Sequence, residues 1–143
     1  MHRLVRKSLY RVPTAALSRN ERNEIRKSRK VYFYDNGVRN AVIGNFSVLE
    51  SRTDIGPLWE NYLVGERRKR IEYARTFAHS YFWRTVNQQE IDYLEELDGQ
   101  FRAFEFKWSS KAKVRFPATF LEKYSVQETL VVTPENYDEF LLS

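Results

Sequence analysis

Asp92, Glu105 and Lys107 are the residues of this chain best suited to chemistry, and one turn signal brings them together. Asp98-Gly99 lies between two β-rich runs, 90–97 and 100–108, and favours a type I′ hairpin because both central positions of that turn take positive φ. With Leu97 facing Gln100, Asp92 falls opposite Glu105 and Glu90 opposite Lys107, all four on one face. The other face carries Ile91 against Phe106, Tyr93 against Phe104 and Glu95 against Arg102, which are ordinary packing and ion-pair partners. Two carboxylates opposed across a ladder repel each other. A cation reverses that sign, and convergent carboxylates make a hard-oxygen site suited to Mg²⁺ or Mn²⁺, with Lys107 as a mobile positive charge beside it. The plainer reading is a solvated sheet face on which Lys107 neutralises Glu90 and Glu105.

Two further features belong to one predicted helix, 58–75, which opens with Pro57 in its first turn. Glu60 shares a face with Leu63, Val64, Arg67 and Ile71, so it can reach the sheet. Its plainer role is an N-terminal acid complementing the helix dipole. Arg67, Arg68, Lys69 and Arg70 place four cations around one turn, which suits phosphate contact or simply a wet helix face.

The elements that must position these residues read as α/β. An extended stretch at 10–17 is interrupted by Pro13, and Ser18 with Glu21 offers a capping box for a basic helix of about ten residues. A short β-run at 31–34 closes on the turn Asp35-Asn36-Gly37, and 38–49 reads as a short helix. Beyond the main helix come strands at 80–86, 90–97 and 100–108, a helix at 117–124, a strand at 128–132 and a terminal helix at 135–142.

Composition narrows the classes of function. The 143 residues carry 24 Lys and Arg against 19 Asp and Glu, net +5, with 42% hydrophobic residues; that length and core content suit one globular domain. Zero cysteines exclude disulfides, zinc-thiolate sites and thiol catalysis, and two isolated histidines, His2 and His79, suggest neither a zinc pair nor a catalytic triad. Apolar runs are far too short to cross a bilayer, and no secretory signal is expected, so a cytoplasmic protein without membrane association is the expectation. Residues 1–30 hold 10 basic and 2 acidic side chains, leaving net −3 for 31–143. We therefore divide the chain into a basic N-terminal segment, 1–30, and a domain, 31–143.

Five ordered stretches carry a resemblance: VYFYDNGVRNA (31–41), GPLWEN (56–61), YFWRT (81–85), EID (90–92) and FEFKW (104–108). Together they resemble the domain of unknown function at the C-terminal end of prokaryotic AAA+ ATPases, of the PD-(D/E)XK nuclease-like, or restriction-endonuclease-like, superfamily. The resemblance covers residues 10–140. It implies a restriction-endonuclease-like core, a central mixed β-sheet flanked by helices, with Glu60 as the helix acid, Asp92 as the acid of the second core strand, and Glu105 and Lys107 as the (D/E)xK pair. Ile91 stands where the superfamily's name has Pro. The implied activity is a Mg²⁺- or Mn²⁺-dependent nuclease, with Asp92, Glu105 and Glu60 as metal ligands, Arg67, Arg68, Lys69 and Arg70 on nucleic acid, DNA foremost, and room for a homodimer. No Gly-x-x-x-x-Gly-Lys-Ser/Thr phosphate loop occurs, so an upstream ATPase module is expected to lie outside this chain, which is then a fragment or a stand-alone remnant without ATP hydrolysis. The competing expectation is a non-catalytic module of that ATPase gripping nucleic acid or protein, which the −3 body favours.

Overall fold

Asp98 and Gly99 take φ values of 52° and 78°, the positive pair that a two-residue hairpin turn requires, and Leu97 pairs with Gln100 and Glu95 with Arg102. Around this hairpin the computed structural model, which describes residues 11–19 and 22–143, arranges strands β1 (Arg11–Ala16) and β2 (Arg29–Phe33), helix α1 (Asn36–Ile43), a 3₁₀ turn (Leu49–Ser51), helix α2 (Ile55–Tyr73), strands β3 (His79–Arg84), β4 (Glu90–Leu97) and β5 (Gln100–Phe106), helix α3 (Ala118–Lys123), strand β6 (Val126–Val132) and helix α4 (Tyr137–Leu142). The strands form one mixed sheet in the order β2-β1-β3-β4-β5-β6. The β1/β3 and β5/β6 neighbours are parallel and the others antiparallel. The α/β reading and the helix-flanked mixed sheet hold. β1, from within the basic segment, is an interior strand, and residue 30 falls inside β2.

Two apolar layers sandwich the sheet. On one side Trp59, Leu63 and Val64 of α2 and Phe140 of α4 meet Tyr32, Tyr93, Phe104, Phe106 and Val132. On the other, Phe120 of α3 and Tyr124 meet Trp83, Leu94, Phe101 and Ala103. Each large side chain buried here contributes about 1.5–3 kcal/mol by leaving water. α2 approaches closely because residue 65 is glycine: a Cβ there would stand 3.0 Å from the Phe33 carbonyl oxygen and 3.3 Å from that of Tyr34. One turn earlier, the buried Asn61 amide accepts from Phe33 N at 2.8 Å and donates to Phe33 O at 3.1 Å, clamping the helix to the end of β2.

Three expectations are corrected. No helix forms among the described residues of 22–28, and Glu21, half of the expected capping box, lies outside the described residues. The reason is Glu24, which bridges to Thr85 and buries its carboxylate between the Trp83 Nε1–H and Tyr124 O–H donors, drawing the segment against the end of β3. The helix expected at 38–49 stops at Ile43, because Gly44 takes φ 70° and its N–H returns to the Asn40 carbonyl. Finally, Ile91 does not share a face with Tyr93 and Phe106. The β3/β4 pairing jumps from Tyr81–Leu94 to Trp83–Ile91, so Asp92 and Tyr93 together oppose Phe82. This bulge sends Ile91 into the α3 layer with Leu94 and leaves Tyr93 in the α2 layer.

Candidate functional site

The pairing of β4 with β5 runs regularly from Leu97–Gln100 to Tyr93–Phe104. At the next position the two carboxylates take over the ladder. Phe106 N donates to Asp92 Oδ2 at 2.9 Å, and Asp92 N donates to Glu105 Oε1 at 3.1 Å. Each acid thus uses one oxygen on the opposite strand's main chain. The second Glu105 oxygen, Oε2, lies 3.9 Å from Lys107 Nζ.

This arrangement is under electrostatic tension. Glu105 is 7% exposed, and burial, reinforced by the charge of Asp92, pushes its carboxyl up to about 8, with Lys107 pulling the other way. Among the described residues Lys107 is the cation paired with Glu105, and the charge of Lys30 reaches Asp92 from the other side. Glu90, expected opposite Lys107, instead pairs with Arg84 across β3 and meets Lys30 Nζ at 2.9 Å and Arg84 Nη2 at 3.2 Å. Although burial raises its carboxyl, those two cations bring it below the ordinary value.

Glu60 does reach the sheet, through partners that the sequence reading did not single out. Lys30 Nζ stands 3.2 Å from Glu60 Oε1, and Tyr32 O–H donates to the same oxygen at 2.6 Å. Burial raises the Glu60 carboxyl, Lys30 opposes that rise, and Asp92 is close enough to add to it. Lys30 therefore places its ammonium between Glu60 and Glu90, with the Phe82 ring 5.1 Å away. The available signal is alternation, since Lys30 and Tyr32 point from one side of β2, although the β-rich run itself begins only at Val31. Among the described residues no group of three or more His, Cys, Asp or Glu side chains is placed to hold a metal ion. The structure thus brings Asp92, Glu105 and Lys107 together and keeps Glu60 nearby, tied to Lys30 and Tyr32.

The basic run is not one patch. Arg67, expected to touch nucleic acid, is 5% exposed: its guanidinium binds Glu95 at 2.5 and 2.8 Å and donates to the carbonyl oxygens of Phe140 and Ser143 at 3.2 and 2.6 Å, tying α2 to β4 and α4. Arg68 is half-buried and donates to Ser80 Oγ at 3.2 Å. Lys69 pairs with Glu66 at 2.8 Å, and Arg70 is exposed. Four consecutive helical residues point in four directions.

No curated protein and no solved structure matches the chain. The sequence pattern of the family described as Domain of unknown function (DUF4143) matches residues 55–141, a span that opens at the start of α2 and takes in Glu60, the basic run, Asp92, Glu105, Lys107 and α4. The chain belongs to this family, the domain of unknown function DUF4143.

Proposed function

We propose that this domain is a metal-dependent phosphodiesterase of nucleic acid, DNA foremost, with a restriction-endonuclease-like core, and that it forms the C-terminal part of an AAA+ ATPase. The observation that carries the reading is the Asp92–Glu105 pair: two adjacent carboxylates, one held up to about 8, beside a single lysine. A carboxyl held up to about 8, as that of Glu105 is, binds a proton at neutral pH, and a divalent cation is the other species that relieves the pair. The donor set fits such an ion. Each acid keeps one oxygen beyond its main-chain hydrogen bond, and Mg²⁺ is commonly held through one or two carboxylates with water and substrate phosphate completing its shell.

When bound, Mg²⁺ or Mn²⁺ supplies polarisation of the scissile phosphate and acidification of a water. The chain's own residues do the rest. Asp92 and Glu105 hold the site between β4 and β5, Lys107 orients the attacking water and offsets charge developing on phosphate, and Lys30 with Tyr32 fixes Glu60 beside Asp92. The AAA+ association and the superfamily fold rest on the resemblance of the five motifs, and an ATPase module would supply the phosphate loop that this sequence lacks.

A non-catalytic module that grips nucleic acid or protein is the alternative, and one observation favours it: Lys30 already occupies the space between Glu60 and Glu90. Labelled single-stranded and duplex DNA and RNA, incubated with the purified chain and Mg²⁺ or Mn²⁺, decide between the two. Cleavage abolished by EDTA supports the phosphodiesterase. Intact substrates with both metals assign the module.

A further inference from the structure

Arg68 and Thr14 share an unusual condition. Thr14 is 2% exposed and its Oγ1 is buried with no hydrogen-bond partner; the Nε–H of Arg68 is buried and equally unpartnered. An orphaned buried polar group is costly, more so when charged, so two together need an explanation. Both residues line one polar cleft of about 250 Å³, together with Pro13, His79, Ser80 and Tyr81. It lies at the start of β3, where that strand runs parallel to β1.

The cleft is cationic and its cation is held in place. No carboxylate stands within 4 Å of the Arg68 guanidinium among the described residues. Of the nearby acids, Glu95 is engaged by Arg67, and Glu72 accepts from the neutral Tyr34 hydroxyl at 2.8 Å. Ser80 Oγ accepts from Arg68 Nη1 at 3.2 Å and lies 2.9 Å from Tyr93 Oη, while the Tyr93 hydroxyl proton goes to Glu95 Oε1 at 3.1 Å. Because that proton is spent, Ser80 must donate to Tyr93, so it cannot also donate into the cleft. Ser80 is therefore a positioning residue, and Arg68 keeps Nε–H and Nη2–H for a ligand. A water satisfies one lone donor but carries no charge to meet a guanidinium that has no carboxylate within 4 Å among the described residues. An oxyanion answers both, since one oxygen can take Nε–H, a second Nη2–H and another the Thr14 hydroxyl.

We propose that Arg68 and Thr14 form a phosphate-binding cleft that holds a backbone phosphate of a nucleic-acid strand. The assignment to a nucleic-acid backbone rests on the phosphodiesterase reading above. Arg68 lies eight residues beyond Glu60 on α2, about 12 Å along the helix axis, a separation of about two phosphates on an extended strand leading to Asp92 and Glu105.

Titration of the full chain, in EDTA to prevent cutting, with inorganic phosphate and separately with a ten-residue thymidine oligonucleotide, tests this by the Arg68 Nε–H resonance and the Thr14 and Ser80 amide resonances. Both ligands are expected to shift these signals saturably, and phosphate to compete with the oligonucleotide. Thr14→Val, nearly isosteric, should weaken phosphate about fivefold through one lost hydrogen bond, and Arg68→Gln about 10–100-fold. Arg115→Gln, an exposed arginine outside the cleft, should leave phosphate affinity unchanged. The wild-type titration needs no variant to fold. Absence of a saturable shift with phosphate overturns the cleft. A shift with phosphate but none with the oligonucleotide overturns the backbone assignment, independently of any cleavage result. Shifts with both in a protein that cuts nothing support the cleft and defeat the phosphodiesterase alone.

Discussion

Asp92 and Glu105 face each other across β4 and β5, each carboxylate accepting a main-chain N–H of the other strand: Asp92 from Phe106 at 2.9 Å, and Glu105 from Asp92 itself at 3.1 Å. The carboxylates have taken the place of two rungs of the ladder. The pair is thereby fixed in orientation, with Glu105 buried and Asp92 half-buried.

The first consequence is a pH signature in stability. The Glu105 carboxyl rises to about 8 in the folded chain, chiefly by burial, against about 4.3 when unfolded. The stability contributed by its protonated form is fully present below the unfolded value and is lost as pH rises through 8. Glu105→Gln cannot ionise, so it should gain on wild type by about 2–4 kcal/mol between pH 5.5 and pH 9. Denaturant unfolding of both proteins at the two pH values gives the difference. A pH-independent gap would mean that Glu105 ionises freely in the fold.

Divalent cations should act on the same residue. At saturating Mg²⁺ or Mn²⁺, about a hundred times the dissociation constant, linkage adds about 2.7 kcal/mol, which for a domain of this size raises Tm by about 5–10 °C. The increase should be larger at pH 8.5 than at pH 6, since the metal must displace the Glu105 proton. Asp92→Asn should lose most of it. Equal shifts in wild type and variant, followed by differential scanning calorimetry, would show that the metal binds elsewhere.

How much of this the sequence displayed depends on how local each signal is. The hairpin was legible because Asp98-Gly99 sets its register by itself, and that register places Asp92 opposite Glu105. Glu60 was legible because helical periodicity turns it toward the sheet. Lys30 was not, since its role depends on β2 lying under α2, a contact made through Asn61 and Gly65. The Asp92–Tyr93 bulge was equally hidden: it comes from matching β3 against β4, and strict alternation put Ile91 on the wrong side. Arg67 shows the limit of charge counting, because four cations in a row look alike until a buried Glu95 selects one.

That selection separates stability from binding along α2. Arg67→Met leaves Glu95, 3% exposed, with Arg102 at 3.6 Å and the Tyr93 hydroxyl at 3.1 Å as its remaining partners among the described residues, and should cost about 3–5 kcal/mol. Adding Glu95→Gln should restore part of the loss. Arg70→Gln should leave stability within about 0.5 kcal/mol while weakening nucleic-acid affinity and flattening its salt dependence by about one unit of slope. Chemical denaturation and salt-titrated binding measure the two. An unchanged salt slope would remove Arg70 from the nucleic-acid surface.

Lys107 carries the last prediction. Its side chain is 41% exposed and its ammonium lies 3.9 Å from Glu105 Oε2, so among the described residues no tight ion pair tethers it and it is free to follow charge that develops on a substrate phosphate. A group of this kind interacts more strongly with the transition state than with the ground state. Lys107→Ala should therefore slow single-turnover cleavage about 10²–10³-fold while nucleic-acid affinity in EDTA and the metal-induced rise in Tm change little. Lys107→Arg should recover only part of the rate, because the guanidinium keeps the charge but not the compact ammonium geometry. A variant that loses affinity and rate in equal measure would make Lys107 a binding residue, and one that cuts as fast as wild type would end its catalytic assignment.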